Sequence, residues 1–177
     1  DQLEVDRLII GGTVGVASEL ARILPKRLRG RLVELLPIPI ASPTDEILAR
    51  CSEVQLRIER QEELEVVRDL LKEVRKGGRA VTGLGATLEA VNHGRVWKLV
   101  YLQGLKLEGG LCTACNVLTD PADERCPLCG KPVEQETHLV DRMARAVLER
   151  GGHVEVVDGP AAEALRQVSE VAAIMHS

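Results

Sequence analysis

The chain has no phenylalanine, and Trp97 and Tyr101 are the only aromatic residues among 177. That scarcity removes the stacking platforms on which single-stranded nucleic acids usually sit. It also leaves Leu, Val, Ile and Ala to build the core. Positive charge is not in excess either: 23 Lys and Arg stand against 27 Asp and Glu, a net charge of −4. No global basic footprint therefore points to nucleic acid. The one local run, Pro25-Lys26-Arg27-Leu28-Arg29-Gly30-Arg31, reads first as a solvated helix end and turn. No stretch approaches the roughly 20 apolar residues of a membrane span, and none reads as a signal peptide. The chain opens on Asp1-Gln2-Leu3 without an initiator Met, so a piece of a longer or processed protein is expected.

What is present is a chain long enough to bury a core unaided, 45% apolar. Arg7 to Gly11 reads as a short buried strand, followed by a helix from about Val16 that Pro25 stops. Arg31 to Leu36 reads as a second strand. The segment Pro37 to Pro43 cannot be helical, because proline lacks the N–H donor and restricts its predecessor; it is taken as a boundary. From Thr44 the pattern stays helical to Lys76, where Gly77-Gly78 ends it. Two apolar stripes run along this helix, Ile47-Cys51-Val54-Ile58 and Leu64-Val67-Leu71-Val74. Between them Glu59 to Glu63 is polar on every side, so the two ends are expected to pack against different bodies. From Arg79 apolar strands alternate with helices to Met175, which predicts a mostly parallel sheet covered on both faces.

Five cysteines are present, and four of them form two Cys-x-x-Cys pairs ten residues apart in CTACNVLTDPADERCPLCG, residues 112–130. Two tight turns of this kind bring Cys112, Cys115, Cys126 and Cys129 to the corners of a tetrahedron around Zn²⁺. Gly130 suits the second turn and Pro127 stiffens it. Two disulfides would need an oxidising compartment, and four paired cysteines plus Cys51 fit a reducing cytosol better. A thioredoxin-like site wants one such pair at a helix start, not two facing copies. Spacing alone leaves iron–sulfur ligation open, and the symmetric pairs favour zinc. Four cysteines fill the coordination shell, so the expected role is structural and not catalytic.

Nothing else carries recognisable chemistry. His93, His138, His153 and His176 are scattered, with no nucleophile or carboxylate at a catalytic spacing. Cys51 lies on an apolar stripe and reads as a core residue. Gly11-Gly12-Thr13-Val14-Gly15 and Gly83-Leu84-Gly85 match no phosphate-loop spacing and read as strand-to-helix turns.

The order of parts resembles a known family. A strand ends in Gly11-Gly12, a helix runs to Leu24-Pro25-Lys26-Arg27-Leu28, and a long helix follows. Then come Ala80-Val81-Thr82-Gly83-Leu84, a helix with Glu89-Ala90-Val91, the strand Trp97 to Leu102, the cysteine insertion, Gly151 to Val157 and Val171 to Met175. This order is similar to the second half of archaeo-eukaryotic translation release factors and Pelota-like ribosome rescue factors, particularly their bacterial relatives. The resemblance implies that residues 1–43 are a remnant of an RNase-H-like α/β middle domain and 44–78 a connecting helix. Residues 79–177 would then be a three-layer α/β/α sandwich with a zinc-knuckle insertion at 108–132. It implies the ribosome and a translational GTPase as partners, and a cytoplasmic location. The family's catalytic Gly-Gly-Gln loop is not in this chain, since Gly11-Gly12 is followed by Thr13 and Gly77-Gly78 by Arg79. The expectation is thus a non-catalytic binding half acting in termination, rescue or hibernation. Two alternatives stand beside it: a kink-turn-type RNA-binding module using Arg79 and the loop from Gly83 to Thr87, and a small α/β enzyme.

Overall fold

The computed structural model describes residues 6–176, so the opening Asp1-Gln2-Leu3 lies outside it. The apolar run of strand β1 (Leu8–Gly12) pairs in parallel with β2 (Leu32–Pro37), Ile10 opposite Leu35 and Gly12 opposite Pro37. Helix α1 (Val14–Ile23) joins them, followed by a single helical turn, α2 (Lys26–Arg29). Pro25 ends α1, and the Arg29 guanidinium donates to the carbonyls of Arg22 and Leu24, at 2.8 and 3.2 Å. One arginine of the basic run is therefore a helix cap, satisfying carbonyls that the helix end leaves open. The proline-rich segment expected as a boundary also does structural work. Its Ile38 N–H donates to Gly12 at 3.3 Å, and its side chain is buried with Leu36 and Val54.

Helix α3 (Thr44–Arg75) runs for 32 residues. Asp45 and Glu46 in its first turn and Lys72 and Arg75 in its last complement the helix dipole. The chain divides into two compact units inside this helix, Asp1–Glu59 and Arg60–Ser177, within the all-polar stretch. In the first unit Val54 is buried, with Cys51 and Ile58 packed beside it. Cys51 is thus a partly buried core residue. In the second unit Val67 and Leu70 are fully buried.

The second unit is built on a four-stranded sheet of β3 (Ala80–Thr82), β9 (Val171–Met175), β4 (Val96–Leu102) and β8 (His153–Val157), in that spatial order. Only the β4–β8 pair is parallel; β9 runs antiparallel to both its neighbours. The expectation of a mostly parallel sheet is corrected here. Val157 at the end of β8 lies opposite Leu102, and Val171 at the start of β9 lies opposite Tyr101. The connection through α6 (Gly159–Arg166) therefore leaves and re-enters at one end of the sheet, and the last strand must run back. Apolar periodicity marks strands but carries no information on their direction.

Alternation along the central strands sends side chains to two cores. Leu99 and Ala173 pack with α4 (Leu84–Asn92) and α5 (Leu139–Glu149), through Leu88, Val91, Met143 and Val147. Val100 and Ala172 pack with α6 and the end of α3, through Leu165, Ala161, Val67 and Leu70. The Glu63 carboxylate accepts the Asp158 N–H at 3.0 Å, placing an acid at the start of α6. Between β4 and α5 the chain forms a separate three-stranded antiparallel sheet, β6-β5-β7, from β5 (Gly109–Cys112), β6 (Val117–Thr119) and β7 (Glu134–Glu136). The cysteine insertion is thus a small sheet and not only a loop, and it runs on to Glu136.

The apolar stripe visible in the sequence contains Leu71, yet the helix buries Leu70 completely and Leu71 only in part. Leu70→Ala is expected to lower the unfolding free energy by about 3 kcal/mol and Leu71→Ala by about 1 kcal/mol. Urea unfolding of the two variants measures this, and equal losses would contradict the packing described.

Candidate metal centre

Each Cys-x-x-Cys pair closes a hairpin. The first joins β5 to β6, with Cys112 opposite Val117 and the Asn116 N–H donating to the Cys112 carbonyl at 2.7 Å. The second lies between Arg125 and Pro132, which bridge in antiparallel fashion, and the Gly130 N–H donates to the Cys126 carbonyl at 2.9 Å. In both turns the residue after the second cysteine has a left-handed backbone, Asn116 at φ 55° and Gly130 at φ 70°. Asparagine and glycine are the residues that adopt this conformation most readily. Gly130 is legible in the sequence as a turn residue; its counterpart Asn116 is a weaker signal of the same kind, an Asn directly after Cys-x-x-Cys.

The two hairpins bring all four sulfurs within 4.8 Å of one another, with Cys112 and Cys129 Sγ 3.6 Å apart. Four sulfurs held 2.3 Å from a central ion lie about 3.8 Å apart. The donor set and its spacing therefore fit a four-coordinate metal ion, and the cluster could hold one. Cys112 and Cys126, the first of each pair, are buried, while Cys115 and Cys129 are exposed. Val117 and Val133 pack around the buried pair.

Without an ion the thiols share protons unequally. The Cys129 thiol is lowered to about 7, first by a hydrogen bond from the Lys131 backbone N–H and then by one from the Cys115 thiol. Cys115, mainly as donor of that bond, is raised to about 12. Because the Lys131 N–H is fixed in the turn, Cys129 is the one of the two that gives up its proton more readily. Arg125 holds the same turn, its Nη1 donating to the Gly130 carbonyl at 3.0 Å.

The cysteine sheet is fastened to α4 by Asn92. Its amide Nδ2 donates to the Leu118 carbonyl at 2.7 Å, and its Oδ1 accepts the Leu118 N–H at 3.0 Å. The side chain thus completes the β6 edge as another strand would. Leu118 itself enters the core with Leu88, Val91 and Leu139. Gly109 and Gly110 permit the sheet to close. A Cβ at Gly109 would come 2.6 Å from the Thr119 carbonyl, and one at Gly110 would strike Thr119 Oγ1 and lie 2.9 Å from Val133 Cγ2.

The remaining candidate residues stay apart from this cluster. His93 is the C-cap of α4, its Nδ1 2.7 Å from the Glu89 carbonyl. His138 is the N-cap of α5, and the His153 ring meets Trp97 edge-on at 5.6 Å. The His176 N–H donates to the Arg95 carbonyl. Gly83 has φ 90° and Leu84 already begins α4, so the expected loop from Gly83 to Thr87 is largely the first turn of that helix. Thr87 is fully buried, so the alternative RNA-binding surface cannot present it. The β1-to-α1 connection is likewise a turn, in which the Ala17 N–H donates to the Thr13 carbonyl at 2.9 Å. No described helix is long and apolar enough to cross a membrane.

No protein-family model matches the sequence, and no curated protein matches it. Solved structures do. An archaeal Pelota in a ribosome-bound complex with ABCE1 superimposes with a TM-score of 0.63 and 18% identity, over 98% of this chain and 44% of that one. Saccharomyces cerevisiae Dom34, described as a translation termination-like factor interacting with Hbs1, gives a TM-score of 0.60 and 14% identity, over 96% and 46%. The C-terminal domain of a peptide chain release factor from Methanosarcina mazei gives 0.53 and 18%, over 77% and 97%. The chain spans less than half of the Pelota and Dom34 chains it matches. At these identities the likeness is one of fold: the chain is built like the second half of Pelota-like and release-factor structures.

Two outcomes are expected of this site. Asn92→Ala removes both bonds to β6 and should destabilise the second unit by about 2 kcal/mol, with hydrogen exchange at the Leu118 amide rising most. In metal-free protein at neutral pH, iodoacetamide should alkylate Cys129 before Cys115, the other exposed cysteine of the cluster, with the Cys129 rate climbing through about pH 7. Peptide mass spectrometry reads the order, and simultaneous modification would contradict the unequal proton sharing.

Proposed function

We propose that this chain is the non-catalytic binding half of a ribosome-associated, release-factor-like protein acting in translation, with a structural zinc ion in its cysteine sheet. The observation that carries the reading is the likeness, over 98% of the chain, to the archaeal Pelota described as ribosome-bound. Its partners on this reading are the ribosome and a translational GTPase, since the similar Dom34 is described as interacting with Hbs1. A cytoplasmic location follows from those partners. Termination, rescue or hibernation is the process served. Residues 1–43 then stand for part of an RNase-H-like middle domain, 44–78 for the connecting helix, and 79–177 for an α/β/α sandwich.

Zinc is the ion we assign to Cys112, Cys115, Cys126 and Cys129. Four thiolates suit a soft-tolerant ion without geometric preference of its own, and a filled shell leaves no position for substrate. Zinc supplies cross-links between the hairpins. The residues supply deprotonated sulfur, with the Lys131 N–H and the left-handed turns holding it in place. The rigid sheet that results is suited to be a contact surface.

Sedimentation through a sucrose cushion tests the reading. Zinc-loaded protein should pellet with ribosomes of its source organism, and elemental analysis should find about one zinc per chain. The Cys126→Ser/Cys129→Ser double variant should lose the metal, keep its far-ultraviolet dichroism and pellet less. Failure of the wild-type protein to pellet at low salt would overturn the ribosome assignment, and full metal retention by the double variant would overturn the site.

A further inference from the structure

Helix α5 places Arg142, Arg145 and Glu149 at spacings of three and four, on one face of the helix. Together with Arg150 they line a cleft of about 250 Å³, whose opposite wall includes Asn116 of the first cysteine hairpin and Leu118 of β6. Two of the three guanidinium groups are anchored. Arg150 Nη1 donates to the Val91 carbonyl at 2.5 Å, and Arg142 Nε donates to Glu136 Oε2 at 2.8 Å. Each anchor uses one of five N–H groups and leaves the rest of the fork available. Arg145 is exposed and has no hydrogen bond or ion pair among the described residues. Glu149 lies four residues on in the same helix and forms no ion pair with it. Three positive charges thus face two acidic ones, Glu136 and Glu149, in a chain whose net charge is −4.

We propose that this cleft is a phosphate-binding site. Two pre-oriented guanidinium forks and one free arginine approach a small polar cavity from the helix side, with the Asn116 turn on the other. A tetrahedral anion with several acceptor oxygens uses donors from several directions, where a carboxylate uses one bidentate fork. A cleft of about 250 Å³ lies below the range usual for whole drug-sized ligands and has room for a phosphate group. The phosphate is either a free one, as in inorganic phosphate or a nucleotide, or part of a nucleic-acid backbone; the chemistry recognised is the same. The inference rests on the cleft alone and stands whether or not the chain binds ribosomes.

Amide-resolved NMR titration of the full zinc-loaded chain, with inorganic pyrophosphate and separately with an RNA hairpin, tests it. Shifts centred on Asn116 and Arg145 are expected. Arg145→Ala should weaken binding about tenfold and lower the slope of log affinity against log salt by about one if a backbone phosphate is held. Arg145→Lys should recover part of the loss, because it restores charge without the fork. Arg27→Ala, in the separate basic run, should change nothing. Response to pyrophosphate alone assigns a free phosphate, and an Arg145-dependent response to RNA assigns a backbone. Arg145 has no partner to lose, so an unchanged melting temperature is expected. The site is refuted if neither probe moves Asn116 and Arg145, or if Arg145→Ala binds as the wild type does.

Discussion

The two-way hydrogen bond between the Asn92 amide and Leu118 is the constraint that ties the cysteine sheet to the second unit. A small antiparallel sheet has edges, and an open edge beside a domain has neither a fixed angle nor a fixed register. A carboxamide sets an N–H donor beside a C=O acceptor, as a peptide group does. By presenting it from the last turn of α4, the chain turns the β6 edge into a paired one. Leu118, held in register, drops into the core against Leu139 and Val91. Asn92 and Leu118 border both the arginine-lined cleft and a more apolar groove beside it. The Asn92 side chain thus ties the β6 edge to the end of α4, beside the packing of Leu118 and the Leu139 N–H bond to the Leu107 carbonyl.

On that platform the four thiols are arranged asymmetrically in exposure and symmetrically in backbone. Burial of Cys112 and Cys126 against Val117 and Val133 gives each turn an apolar root. Exposure of Cys115 and Cys129 leaves the second sulfur of each pair at the surface. The left-handed residues at 116 and 130 repeat the same turn twice, once with asparagine and once with glycine. Only the asparagine brings a side chain to the neighbouring cleft, a difference that glycine at 116 would erase.

Charge is used locally in this chain. Arginine serves repeatedly as a donor to carbonyls: Arg29 closes α1, Arg125 holds the second turn, and Arg150 reaches the end of α4. A basic run or an arginine-rich helix face is thus partly consumed by structure, and counting charges overstates what a partner could meet. Acids do the same work in reverse. Glu63 caps α6, while Asp120 and Asp123 accept backbone N–H groups within the turn between the hairpins. With identities of 14 to 18% the shared fold with Pelota and Dom34 rests on burial pattern, which many sequences satisfy, and not on particular surface groups.

The sequence by itself determined the metal-ligand candidates, the long helix with two apolar ends, the strand and helix alternation, and the absence of a Gly-Gly-Gln loop. Each is a matter of spacing along the chain, which residue order specifies directly. The order of its parts also carries the resemblance to release and rescue factors. Tertiary structure alone decided the rest. Strand direction escaped because β9 reads the same either way, and only its place between β3 and β4 sets it antiparallel. Full burial of Leu70 beside partial burial of Leu71 depends on how the helix is rotated against the sheet, because adjacent residues point about 100° apart. The roles of Asn92, Gly109 and Gly110, and the meeting of Asn116 with Arg145 across a cleft, depend on contacts between residues distant in the chain. No local pattern encodes such contacts, because the partner of each group is chosen by packing.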